Sequence, residues 1–128
     1  MPLTRMHHFL VLSDDIDATR DFYAAALGLE VGERPDLGFP GYWLYLDGVP
    51  CVHVADREAY SAFALAGMSV PLDHIAFSAS GYDEIAARLA ASGVEPATNE
   101  VPAAGMRQLF FEDPNGLKIE INVMEGSR

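Results

Sequence analysis

The chain has 128 residues, half of them hydrophobic and 21% charged, with a formal net charge of −11. This is the composition of one folded domain, not of a disordered segment, and eight Lys and Arg are too few for a nucleic-acid footprint. Cys51 is the sole cysteine, so no internal disulfide forms; with no basic apolar leader and no run near the roughly 20 apolar residues of a membrane span, a soluble cytoplasmic protein is expected.

In chain order, His7 to Leu12 reads as a short β-prone strand. Asp14 and Asp15 follow as candidate helix caps, with Asp17 adding acid to the first turn. Ile16, Ala18, Phe22, Tyr23, Ala26 and Leu27 recur at helical spacing, and Gly28 ends the helix. Leu29 to Glu33 is extended, and Pro35 to Gly41 is a loop. Tyr42 to Leu46 is a strand, joined through the hairpin signal Asp47-Gly48 to a strand over Val49 to Ala55. An Ala-rich stretch, 56–70, with Tyr60 and Phe63, reads as a short helical linker. The order then returns: a strand over Leu72 to Ala79, a helix over Asp83 to Ser92 stopped by Gly93, and an extended piece from Val94 to Asn99. Val101 to Gly105 is a loop, Gln108 to Glu112 a strand, Asp113 to Gly116 a turn, and Leu117 to Val123 the last strand.

The chain thus reads as a single domain of two βαβββ modules, 5–55 and 71–123, joined by the linker 56–70. Matching landmarks support a duplication. His74 follows His8 by 66 positions, Gly93 follows Gly28 by 65, and Glu120 follows His53 by 67. Strand alternation then assigns faces. Leu117, Ile119 and Ile121 form an apolar face, which leaves Lys118, Glu120 and Asn122 on the reverse. Val52 and Val54 pack while Cys51 and His53 point away; His8 and His74 each sit on the corresponding face of their strands. Two imidazoles and a carboxylate make a divalent site with positions open for water or substrate, so His8, His74 and Glu120 are expected metal ligands. His53 is either a fourth ligand or an acid–base residue beside the metal, and His7 is not expected to bind it.

These residues resemble the vicinal oxygen chelate superfamily, which includes glyoxalase I, fosfomycin-resistance enzymes, methylmalonyl-CoA epimerase, extradiol dioxygenases and bleomycin-resistance proteins. The resemblance rests on His8 with Ser13-Asp14-Asp15, on Phe22-Tyr23 and on Leu27 to Val31. In the second half it rests on Asp73 to Phe77 and on Phe110 to Ile121, so it covers nearly the whole chain. It implies an α+β fold in which the two modules form a cupped eight-stranded mixed sheet. It also places His8, His74 and Glu120 at the shared metal-ligand positions. The fourth position, commonly Glu or Gln in isomerase and lyase branches, is His53 here, a departure from glyoxalase I and also from extradiol dioxygenases.

Two functions are expected to compete. The first is a metal-dependent lyase, isomerase or dioxygenase acting on a small oxygen-chelating substrate through Zn, Ni, Fe or Mn, with His53 and Glu120 as candidate catalytic groups. Tyr42, Arg107 and Phe111 are the expected pocket residues, with Trp43, Tyr45 and Met106 as further wall candidates and Arg107 or Lys118 as the expected holder of an anionic substrate group. The second is a metal-free protein that sequesters a drug-like ligand. A homodimer is expected in either case, because the sheets have edges to cover.

Overall fold

The computed structural model describes residue 2, residues 5–62 and residues 72–124. They form two compact units of the same design, each a strand, a helix and three strands. The fold is α+β, with eight strands hydrogen-bonded as two four-stranded mixed sheets.

In the first unit β1 (Phe9–Ser13) leads to α1 (Ile16–Leu27), β2 (Glu30–Gly32), β3 (Gly41–Leu46), β4 (Val49–Asp56) and α2 (Arg57–Ser61). Asp15 caps α1 by accepting from the Ala18 N–H at 3.0 Å. Gly28 closes it in the left-handed region at φ 73°, where a side chain would be strained. The sheet order is β1-β4-β3-β2, with β1 parallel to β4 and the other pairs antiparallel. Asp47 and Gly48 both take positive φ, 51° and 79°, the conformation that a two-residue hairpin turn matching the strand twist requires.

Beyond that turn the ladder is irregular. Leu46 faces Val49 and Tyr45 faces Pro50, but Leu44 faces Val52, so Cys51 is an extra residue on β4. From there on, Trp43 opposes His53 and Tyr42 opposes Val54. An unbroken ladder would have set Tyr42 against His53.

In the second unit β5 (His74–Ala79) is followed by α3 (Tyr82–Ala91), β6 (Ala97–Val101), a 3-10 turn over Pro102–Ala104, β7 (Met106–Glu112) and β8 (Lys118–Met124). The order β5-β8-β7-β6 repeats that of the first sheet, and the β7–β8 ladder runs without a register shift. Asp113 shapes the intervening turn, its Oδ1 accepting from the N–H groups of Asn115 and Leu117 at 2.8 and 2.9 Å.

Alternation builds each core. Leu44, Val52 and Val54 are buried on one face of the first sheet; Ile75, Leu109, Phe111, Ile119, Ile121 and Val123 are buried on one face of the second. Burying one such side chain stabilises the fold by roughly 1.5–3 kcal/mol. Expected and observed boundaries differ mainly at element ends: β1 starts at Phe9, one residue after His8, and β6 starts at Ala97, not Val94. The linker is helical only over α2 among its described residues, and Phe63 lies outside them. No described helix is long and apolar enough to cross a membrane.

Candidate metal and ligand centre

On the second sheet the face opposite the apolar core carries a row of polar side chains. His74 on β5 and Glu120 on β8 come from directly paired strands, and Nε2 of His74 lies 3.7 Å from Oε1 of Glu120. His74 Nδ1 donates to Asp73 Oδ2 at 2.9 Å, which in the neutral ring leaves the Nε2 lone pair facing the carboxylate side. The hydrogen bonds from His74 and then Lys118 hold the Asp73 carboxyl below its ordinary range. The other oxygen of Glu120 is also held: Asn122 Nδ2 donates to Oε2 at 2.9 Å. Asn122 in turn accepts from Gln108 Nε2 at 3.1 Å, and Gln108 accepts from Asn99 Nδ2 at 2.9 Å. One amide from each of β6, β7 and β8 therefore ends on the carboxylate of Glu120.

The first sheet gathers an aromatic cluster around His53, which is 3% exposed. Trp43 stacks on the His53 ring with centroids 4.6 Å apart and planes 12° from parallel; Phe39 stacks at 6.0 Å. His8 sits edge-on to Trp43 at 4.7 Å and to His53 at 6.2 Å. Arg34, from the loop before β3, donates from Nε to His53 Nε2 at 3.1 Å and from Nη2 to the Phe39 carbonyl at 2.8 Å. Burial first, then the Arg34 charge and His8, push His53 down to about 4. His53 is thus neutral near pH 7, with its hydrogen on Nδ1 and its Nε2 lone pair given to Arg34. Burial and His7 also lower His8, whose Nδ1 is 2.9 Å from His7 Nδ1.

The expected pocket residues lie on the other faces. Tyr42 opposes Val54, and its hydroxyl donates to Asp17 and accepts from Arg20 Nη1 at 2.8 Å. Phe111 opposes Ile119 and is 7% exposed, within the apolar core. Arg107 lies on that same face, its guanidinium 3.5 Å from the Tyr82 ring centroid and 3.8 Å from Glu100. The aromatic residues beside the candidate groups are their chain neighbours: Trp43 opposes His53, and Phe110 opposes Glu120. Sequence reasoning missed Arg34 altogether. An added Cβ at Gly41 would run into the Val54 carbonyl oxygen and stand 3.0 Å from the Arg34 Nη2, so that glycine borders its seat.

The donor set suits a divalent ion in part. His74 and Glu120 fit one: an imidazole oriented by a carboxylate stands beside a carboxylate oriented by an amide. His8 fits through Nε2, since its Nδ1 is engaged by His7. His53 does not fit in this arrangement, because a guanidinium occupies the lone pair that a metal would need. Among the described residues, neither unit by itself gathers three His, Cys, Asp or Glu side chains that could hold a metal.

Comparison with known proteins places the chain. The profile of the Glyoxalase/Bleomycin resistance protein/Dioxygenase superfamily matches residues 5–121. The chain is 30% identical over 122 residues to Glyoxylase I 4 of Arabidopsis thaliana, covering 93% of this chain and 70% of that protein. Among solved structures, the lactoylglutathione lyase of Agrobacterium tumefaciens superposes with a TM-score of 0.75 at 22% identity, covering 96% of each chain. TnmS3, an antibiotic binding protein from Streptomyces sp. CB03234, superposes with a TM-score of 0.72 at 21% identity, covering 98% of this chain and 99% of that one. With its repeated strand–helix–three-strand units and its matched sequence, the chain belongs to the glyoxalase, bleomycin resistance and dioxygenase superfamily, the vicinal oxygen chelate proteins.

Proposed function

We propose that the chain is a metal-dependent enzyme of the glyoxalase-like kind, a lyase or isomerase acting on a small substrate with two neighbouring oxygens. His74 and Glu120 from the second unit and His8 from the first are its ligands. The observation that supports this reading is the supported pair on β5 and β8, in which Asp73 holds His74 and Asn122 holds Glu120. Metal-ligating histidines and carboxylates almost always have orienting partners of this kind. The chemistry supplied by a bound divalent ion is Lewis acidity toward two adjacent substrate oxygens, which stabilises a developing enolate. Asp73 fixes the tautomer of His74, and Asn122 fixes which oxygen Glu120 presents. His53 stays neutral and orders the aromatic wall with Arg34 and Trp43, a role distinct from ligand or base because its Nε2 lone pair is given to Arg34.

Metal analysis of protein purified without added ions, followed by zinc titration, tests the reading. About one equivalent per chain is expected, with His74→Ala and Glu120→Gln losing it and His8→Ala weakening it. An ion-free protein that takes up none on titration, with His74→Ala indistinguishable from wild type, would remove the proposal.

A second reading is supported by the stack of Phe39, His53 and Trp43: a metal-free binding protein that holds a drug-like molecule against aromatic rings. It requires ligand affinity that is unchanged by a chelator. In either reading the small molecule is joined by a second copy of the chain, and light scattering in solution would report a dimer.

A further inference from the structure

Arg34 has no carboxylate within ion-pair distance among the described residues, Asp36 acting on it only from longer range, in a chain of net charge −11. A guanidinium has five N–H donors. Nε is used on His53 and one Nη2 hydrogen on the Phe39 carbonyl, both neutral acceptors. Both Nη1 hydrogens and one on Nη2 have no partner among the described residues.

The position is built. The Phe39 ring lies 5.0 Å from the guanidinium carbon. Gly41 is packed between the Val54 carbonyl and the guanidinium, since a Cβ there would run into the Val54 oxygen and stand 3.0 Å from Nη2 and 3.2 Å from Cζ. His53, stacked on Trp43, cannot give way easily. A guanidinium anchored by neutral acceptors keeps its full charge for a ligand, and its planar fork matches a carboxylate or phosphate. Because the fork is fixed in advance, little ordering remains to be done on binding.

We propose that Arg34, seated over Gly41 between the Phe39 carbonyl and His53, is the docking point for the anionic group of the small molecule this protein takes, a carboxylate or a phosphoryl oxyanion. That the molecule is a substrate rests on the metal-dependent reading above; that the anion binds here does not.

The test uses chelator-treated protein, so that no metal competes for the anion. Inorganic phosphate and, separately, acetate are titrated at constant ionic strength. Trp43, the only tryptophan of the chain, supplies the fluorescence signal, and the Arg34 Nε–H resonance supplies a second. Saturable changes in both signals are expected with at least one anion; the tighter of the two assigns the group as carboxylate or phosphoryl. Arg34→Gln is expected to weaken binding at least tenfold, Arg34→Lys less, and Arg57→Gln not at all, Arg57 being paired with Asp14. The wild-type Arg34 resonance keeps the question answerable if a variant folds poorly. An Arg34 resonance that neither anion moves, or Arg34→Gln binding as wild type does, overturns the proposal. Metal uptake by Arg34→Gln is measured in parallel: normal uptake without an anion effect removes only this inference, and an anion effect without metal uptake in any variant removes only the metal reading.

Discussion

His53 and Arg34 form a pair in which the imidazole must stay uncharged, and this has a consequence for pH. In the folded protein His53 is pushed down to about 4, whereas in the unfolded chain it takes the ordinary histidine value of about 6.5. The unfolded chain therefore binds the proton first, so the contribution to stability is complete above about pH 6.5 and declines as pH falls toward 4. For metal-stripped protein, urea unfolding across this range is expected to show a loss approaching about 3 kcal/mol that is missing in His53→Gln; equal slopes in the two proteins would contradict it. Asn122 makes a different kind of contribution. Asn122→Leu removes the donor to Glu120 and is expected to weaken zinc binding by about 10- to 100-fold, with far-ultraviolet circular dichroism unchanged. His8, His74 and Glu120 stand out in the sequence as candidate ligands because they fall at matching positions of the repeat. Arg34 does not, since its use depends on a loop path and on His53, 19 positions away.

The elements themselves were largely legible. Helical spacing located α1, glycine chemistry located its end, and Asp47-Gly48 marked the hairpin, all from local sequence. Faces were harder, because a strand's phase is set by its partner. Tyr42 and Phe111 were expected in the pocket, and in both strands the residue next in line faces the candidate group: Trp43 after Tyr42, Phe110 before Phe111. On β3 the cause is the extra Cys51; on β7 two adjacent phenylalanines give hydrophobicity nothing to choose between. Pairing also makes a test at this scale. A Cβ at Gly32 would run into the Tyr45 ring, whose hydroxyl donates to the Glu33 carbonyl at 2.9 Å. Gly32→Ala is expected to destabilise the protein by about 1–3 kcal/mol, and combining it with Tyr45→Ala should cost less than the two changes separately. Thermal unfolding of the four proteins reads both numbers, and strict additivity would argue against the contact.

Across the whole molecule, the repeat offsets of 65 to 67 positions correspond to two sheets of identical strand order, β1-β4-β3-β2 and β5-β8-β7-β6. That correspondence was legible because duplication leaves landmarks; which ion and which substrate the protein takes leave none. If metal binds the folded state alone, the effect reaches the entire fold: zinc at about a hundredfold excess over its dissociation constant adds about 2.7 kcal/mol. For a chain of this size the melting point is then expected to rise by roughly 10 °C over chelator-treated protein, and His74→Ala should show no such rise. The β3–β4 ladder of the first half carries one extra residue, Cys51, that the β7–β8 ladder of the second lacks. Because that residue loops out of the ladder instead of pairing in it, an indole and not a phenol lies flat on the imidazole of the first half. Deleting Cys51 would leave Leu44 against Val52 and Trp43 against His53, whereas drawing Cys51 into the ladder would bring tyrosine to the imidazole, so in this fold one looped-out residue decides between a greasy wall and a proton donor.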